Sequence, residues 1–249
     1  MNRTIGNLKI HIFKDKAEAV RQAADAISSY LSDAQKEDRK VLFLSSGGSS
    51  LEILDFIPDD ILGDYLTISV LDERYDREGK NNNFVQLSLT GFYRKALKSG
   101  CAFIDTRVRP GQTQKALADY FEGKLREWRK NNPDGEIIAT IGIGPDGHTS
   151  GIMPFPENKK MFDTLFNGER WVVAYDAAGK TPYSERVTTT NTFLKLINRA
   201  FVFAVGREKA EALHRMQEDR PVSEVPAAIL KELCGDMYID RELSEVVQG

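Results

Sequence analysis

The chain has 249 residues, of which 41% are hydrophobic and 29% charged, with a formal net charge of -3. That balance is globular and predicts a single domain over residues 1–249, while so small a charge, with no long basic stripe, argues against nucleic acid as a partner. The first nine residues hold no apolar signal core and no later run approaches the roughly 18 apolar residues of a membrane span, so a cytoplasmic protein without membrane attachment is expected.

Leu8 to Phe13 reads as a first strand. Asp15 with Glu18 three residues on then forms a helix cap, followed by Val20, Ala24, Ile27 and Leu31 at helical spacing. Val41 to Leu44 is a continuous apolar run of the kind buried on both faces of a sheet; the small residues Ser45 to Ser50 follow, and Leu51 to Leu54 begins a helix. Strand-like runs recur at Leu66–Leu71, Glu136–Ile143, Trp171–Tyr175 and Ala200–Val205. Leu117, Phe121, Leu125 and Trp128 mark a long helix, and Phe193–Asn198 and Arg207–Met216 two more. This alternation predicts an α/β fold, a mostly parallel sheet covered by helices on both faces. Cys101 and Cys234 are far apart and match no metal-ligand spacing, so both are expected as reduced, packed thiols.

Ligands of such sheets collect at the carboxyl ends of the strands, which directs attention to three loops. Gly47, Gly48 and Ser49 follow the second strand and open onto a helix: the segment is either a plain tight turn or a cradle of N–H groups for a phosphate. Asp72-Glu73-Arg74 is either a charged surface turn or a site in which Asp72 handles a proton or a hydroxyl and Arg74 orients an anion. The third loop surrounds Asp146 and His148 with Gly142, Gly144, Gly147 and Gly151, a backbone shaped to present His148 rather than to continue a helix. A fourth segment, Lys180 to Thr190, carries Lys180, Arg186 and three threonines ahead of a helix. It offers a point charge and a guanidinium fork suited to phosphate, with the hydroxyls as helix caps. His11 lies in a strand pattern and His214 in a helix pattern, and both read as structural.

In their order along the chain these segments resemble the 6-phosphogluconolactonase branch of the 6-phosphogluconolactonase and glucosamine-6-phosphate deaminase family. Ser46–Ser49 matches its Ser-Gly-Gly-Ser turn, Asp72–Arg74 its Asp-Glu-Arg, and Gly142–Thr149 its Gly-x-Gly-x-Asp-Gly-His-Thr loop. Arg186–Thr188 matches its Arg-(Ile/Val)-Thr, and Gly206–Ala210 its Gly-x-x-Lys-Ala. The deaminase branch places a Glu where Met153 stands and usually has Asp-Glu-Tyr at 72–74, so both departures favour the lactonase branch. Thr149–Pro154 and Ser50-Leu51 differ from the lactonase pattern.

The resemblance implies a Rossmann-like three-layer α/β/α sandwich acting on a phosphorylated sugar lactone, with neither metal nor nucleotide cofactor. His148 would be the general base for a lactone-opening water, since imidazole titrates near neutrality. Asp146 or Asp72 would hold its tautomer or bind a sugar hydroxyl, and Arg74 or glycine N–H groups would steady the oxyanion. Gly47, Gly48, Ser49, Arg186 and Lys180 would take the phosphate. A deaminase or isomerase is the enzyme alternative, and a non-catalytic sugar-phosphate sensor the binding alternative.

Overall fold

An unbroken apolar run in a strand has to be buried on both faces, and the central strands divide their side chains accordingly. Val41 and Phe43 enter one core while Leu42 and Leu44 enter the other; Ile138 opposes Ile137 and Ala139, and Phe201 and Phe203 oppose Val202 and Ala204. This is the two-residue period of a pleated backbone with both sides covered. The computed structural model describes residues 3–247.

The strands are β1 (Arg3–Ile5), β2 (Leu8–Phe13), β3 (Val41–Ser45), β4 (Leu66–Val70), β5 (Asp72–Arg74), β6 (Ala102–Phe103), β7 (Glu136–Gly142), β8 (Val172–Asp176), β9 (Glu185–Thr189), β10 (Arg199–Ala204) and β11 (Gly235–Asp240). The helices are α1 (Lys16–Lys36), α2 (Leu51–Leu54), α3 (Asn83–Leu89), α4 (Gly91–Lys98), α5 (Gln114–Asn131), α6 (Lys159–Phe166), α7 (Asn191–Leu194) and α8 (Ala210–Gln217). Eight strands form one sheet in the order β1-β2-β11-β10-β7-β3-β4-β6. All its neighbours run parallel except β1 and β2. One core lies under α1 to α4, through Ile27, Leu31, Leu54, Phe84 and Phe92; the other lies under α5, α6 and α8, through Phe121, Trp128, Phe162 and Leu213. The expected three-layer arrangement is therefore the fold.

The Asp15 cap forms as expected. Its side chain accepts from Glu18 N at 2.9 Å, and Glu18 Oε2 accepts from Lys14 N at 2.8 Å, one residue earlier than a standard capping box. The stripe Val20, Ala24, Ile27 and Leu31 is buried. Phe43 is fully buried, and its truncation to Ala should cost about 3–5 kcal/mol.

Several expectations need correction. Trp171–Tyr175 marks a strand outside the main sheet: β8 pairs antiparallel with β9, and β9 with β5, in a separate three-stranded sheet. Asp72–Arg74 and much of 180–190 are thus strands rather than loops. The helix expected at Phe193–Asn198 is α7, capped by Thr190 and ended before Arg199 opens β10. Arg207–Met216 begins as a 3-10 turn and becomes helical only at Ala210. Cys101 is buried as expected, whereas Cys234 is exposed. No helix among the described residues is long and apolar enough to cross a membrane.

Candidate active site

Leu71 is the single residue between β4 and β5, and it stitches the two sheets together. Its N–H donates to Ser45 O of β3 at 3.0 Å, and its carbonyl accepts from Thr189 N of β9 at 3.1 Å. The chain therefore leaves the main sheet and enters the small one at the carboxyl ends of β3 and β7, where a cleft of about 220 Å³ opens. This is where the strand-end rule places a ligand.

Alternation along β5 turns Asp72 and Arg74 toward this cleft and buries Glu73 behind them. In the β5–β9 register Arg74 lies directly opposite Arg186, a like-charge pair that is unfavourable unless something negative joins it. Asp72 supplies part of that charge: its Oδ2 lies 3.3 Å from Arg186 Nη1, and both side chains are buried. Arg186 is further engaged by Tyr183 O at 2.9 Å and Thr181 Oγ1 at 3.2 Å. Arg74 stacks 4.8 Å from the Tyr183 ring centroid, and its buried Nε has no partner among the described residues. One guanidinium thus remains without a carboxylate at the wall of the cleft.

Glu73 accepts from Arg74 N at 2.8 Å, Phe84 N at 3.0 Å, Thr106 Oγ1 at 2.9 Å and Asn83 N. Burial pushes its carboxyl up to about 8, against the bonds from Phe84, Asn83 and Thr106 that favour the charged form. Its segment belonged to the Asp72–Arg74 match, but no role for Glu73 followed from that match. Its effect is to lock β5 to α3, and with it Asn83, whose Nδ2 holds Asp72 O at 2.9 Å.

The turn after β3 is tied to β7 by Gly142 N donating to Ser46 Oγ at 3.2 Å. Gly47 is packed on Asn83, so a Cβ there would fall 2.5 Å from its Oδ1, and Gly48 has φ +67. No protein acceptor serves the N–H groups of Gly47, Gly48 or Ser49 among the described residues. The following α2 is a single turn, too short for a large macrodipole, so any anion here is held by these N–H groups rather than by a long helix.

His148 sits at the end of a closed turn in which Gly144 N donates to His148 O at 2.8 Å and Gly147 N to Gly144 O at 2.9 Å. Gly147 takes φ +87, and the ring of His148 occupies the space that a Cβ on Gly144 would need. Asp146 Oδ1 is 2.5 Å from His148 Nδ1 and also accepts from His148 N at 3.1 Å. Asp146 thereby fixes the tautomer with hydrogen on Nδ1 and leaves Nε2 as the basic nitrogen. Burial alone would raise the Asp146 carboxyl, but its bonds to His148 outweigh that and hold it below the usual range. Gly151, at φ +69, lets Asp72 pack against the same loop; a Cβ would lie 2.6 Å from Asp72 Oδ2.

The cleft therefore unites His148, Asp72, Arg74, Arg186, Gly47, Gly48 and Ser49, with Asp146 behind His148. It does not include Lys180, whose Nζ pairs with Glu157 Oε1 at 2.7 Å and lies over the Phe155 ring. The β8–β9 turn points that lysine away, toward residues 156–158. Lys209 stands in the cleft wall instead. Its segment belonged to the Gly206–Ala210 match, a signal that could have found it, although no role followed from that match. Burial lowers its pKa, with Glu208 and Asp240 opposing. His11 pairs with Asp236 and His214 with Glu218, both away from the cleft. Among the described residues no group of three or more His, Cys, Asp or Glu could hold a metal ion.

The family model described as "Glucosamine-6-phosphate isomerases/6-phosphogluconolactonase" matches residues 14–239. The 6-phosphogluconolactonase of Bos taurus is 28% identical over 155 residues, covering 60% of this chain and 57% of the bovine protein. That of Neisseria meningitidis serogroup A is 27% identical over 209 residues, 80% of this chain and 84% of the relative. Among solved structures, a 6-phosphogluconolactonase from Shewanella baltica superposes with a TM-score of 0.78 at 20% identity, covering 95% of this chain and 99% of the other. The Trypanosoma brucei 6-phosphogluconolactonase gives 0.74 at 17% identity, with 95% and 97% covered. The two structures share the fold, and the family model spans nearly the whole chain: this protein belongs to the family of glucosamine-6-phosphate isomerases and 6-phosphogluconolactonases.

Proposed function

We propose that this protein is a cytoplasmic hydrolase of the pentose phosphate pathway that opens 6-phospho-D-glucono-1,5-lactone to 6-phosphogluconate. The observation that carries this reading is the Asp146–His148 pair facing the same cleft as Arg74, Arg186 and Lys209: a general base and an anion site within one small volume. Curated relatives that carry the lactonase name support it.

In this mechanism His148 Nε2 takes a proton from water as the oxygen attacks the lactone carbonyl. The same proton passes to the ring oxygen when the tetrahedral intermediate collapses, which opens the ring and returns His148 to neutrality. Asp146 holds the imidazole and stabilises its transient charge. Arg74, stacked and without a carboxylate partner, steadies the oxyanion. The phosphate is met by the N–H groups of Gly47, Gly48 and Ser49 with Lys209 and Arg186, and fixes the lactone's orientation. Asp72 anchors Arg186.

Freshly prepared 6-phosphogluconolactone assayed beside glucosamine 6-phosphate tests the reading. Lactone loss above the spontaneous rate, with no ammonia from the amino sugar, is expected. Ammonia release would assign the deaminase chemistry instead, and binding of both without turnover would make the protein a sensor.

A further inference from the structure

Lys209 reaches the cleft from the turn after β10, and that turn is held by the carboxylate that ends β11. Gly206 adopts φ +92, and its N–H donates to Asp240 Oδ2 at 2.9 Å. Asp240 is 6% exposed, and its other oxygen, Oδ1, has no hydrogen-bond partner among the described residues. A carboxylate that served only to brace a turn would use one oxygen and leave the buried second one at a cost. Asp240 also lines a second cavity, of about 460 Å³, which shares Ser49 and Lys209 with the cleft as walls.

We propose that Asp240 is a positioning residue for the reaction: it fixes the Gly206 turn and presents its carboxylate to the cavity that Lys209 also walls, so that Lys209 meets the substrate phosphate as a charged ammonium. This rests on the reading of Lys209 as a phosphate ligand. A lysine in that role has to stay charged although it is partly buried. The carboxylates acting on it are Glu208 and Asp240, with Lys16 acting in the opposite sense. Glu208 is exposed and screened by water, whereas Asp240 is buried, where a charge acts more strongly. Lys14, Asp15 and Glu242 also face the second cavity, and Lys16 is occupied by Glu52 at 2.6 Å.

Asp240→Asn keeps an acceptor for the Gly206 N–H and removes the charge, while Asp240→Ala removes both. The measurement is the affinity of 6-phosphogluconate by calorimetry from about pH 6 to about pH 10, toward the titration range of lysine. A stable product avoids the spontaneous decay of the lactone. The alkaline loss of affinity should move to lower pH in Asp240→Asn by about one unit, making binding up to about tenfold weaker on that side and near normal at the acid end. In turnover the change should fall on KM far more than on kcat. An Asn variant with the wild-type profile, beside an Ala variant that only melts early, would show a turn brace and nothing more, and the proposal falls. Lys209→Met separates the underlying reading: if it binds 6-phosphogluconate as tightly as wild type at neutral pH, the phosphate assignment of Lys209 is what fails.

Discussion

The imidazole of His148 lies where the side chain of any residue other than glycine at Gly144 would have to be. Imidazole and backbone are thus fitted to each other across four residues, and the ring cannot keep its place if the backbone gains a methyl group. Gly144→Ala should displace the imidazole by an ångström or so and lower kcat by about 10²-fold, the scale of such a misplacement. The affinity for 6-phosphogluconate should change little, because the proposed phosphate site is formed by other loops. An Ala variant with wild-type kcat would show that the loop adapts without moving the base.

Gly144 and His148 were legible because a run of glycines around one histidine is unusual in any regular element. The parallel core was equally legible, since buried strands such as Val41–Leu44 read as apolar runs. The small sheet was not. In β9, Arg186 and Thr188 alternate with Val187, and a strand so short and polar looks like a charged loop; only its pairing with β5 reveals it. β11, Gly-Asp-Met-Tyr-Ile-Asp, escaped for a related reason: Asp236 is tolerated there because Arg199 pairs with it and the His11 ring contacts it, each from a neighbouring strand. Lys180 and Lys209 each follow a glycine in a turn, and nothing local says which turn points inward. Lys180 is drawn to Glu157, and the Gly206 turn ahead of Lys209 is braced by Asp240, both contacts with residues far away in sequence.

Arg186 is more than a solvent-facing clamp, and its substitution should show two effects. Arg186→Ala should raise KM for the phosphorylated lactone about tenfold or more, as expected for a lost charge-assisted contact. It should also lower stability by about 3 kcal/mol, because Asp72 is left buried without its partner. The unphosphorylated lactone should be a much poorer substrate for wild type but should lose little further in the variant. Equal losses for both substrates would remove the phosphate role and leave Arg186 a structural residue.

Glu73 predicts a pH dependence of stability. Its carboxyl rises from an ordinary 4.5 to about 8 on folding, so the native state keeps a proton that the unfolded chain releases between those values. Its contribution is full below about pH 4.5 and is lost as pH rises through about 8. Glu73→Gln mimics the protonated group and should remove this dependence. Melting curves of both proteins from about pH 6 to about pH 9 should therefore converge or cross as the wild type weakens. A difference in Tm that stays constant over that range would mean that the four donors keep Glu73 ionised.

The decisive variant is His148→Asn. Asparagine keeps a polar side chain at the end of the same turn but offers no group that takes a proton near neutral pH, so kcat should fall by about 10² to 10⁴, the usual contribution of a general base. Asp146→Asn should fall in the same direction, since an amide that turns its NH2 toward Nδ1 favours the wrong tautomer and leaves Nε2 protonated. Its loss should not add to that of His148→Asn in the double variant, because the two residues act as one unit. Product affinity should survive in all three, which separates loss of chemistry from loss of fold. The spontaneous rate has to be subtracted at each pH, as rapid background opening would hide a disabled enzyme. If His148→Asn opens 6-phosphogluconolactone above background as fast as wild type does, the base lies elsewhere. Among the described residues, Asp72, buried against Arg186, is then the one carboxylate lining the cleft that could take the role.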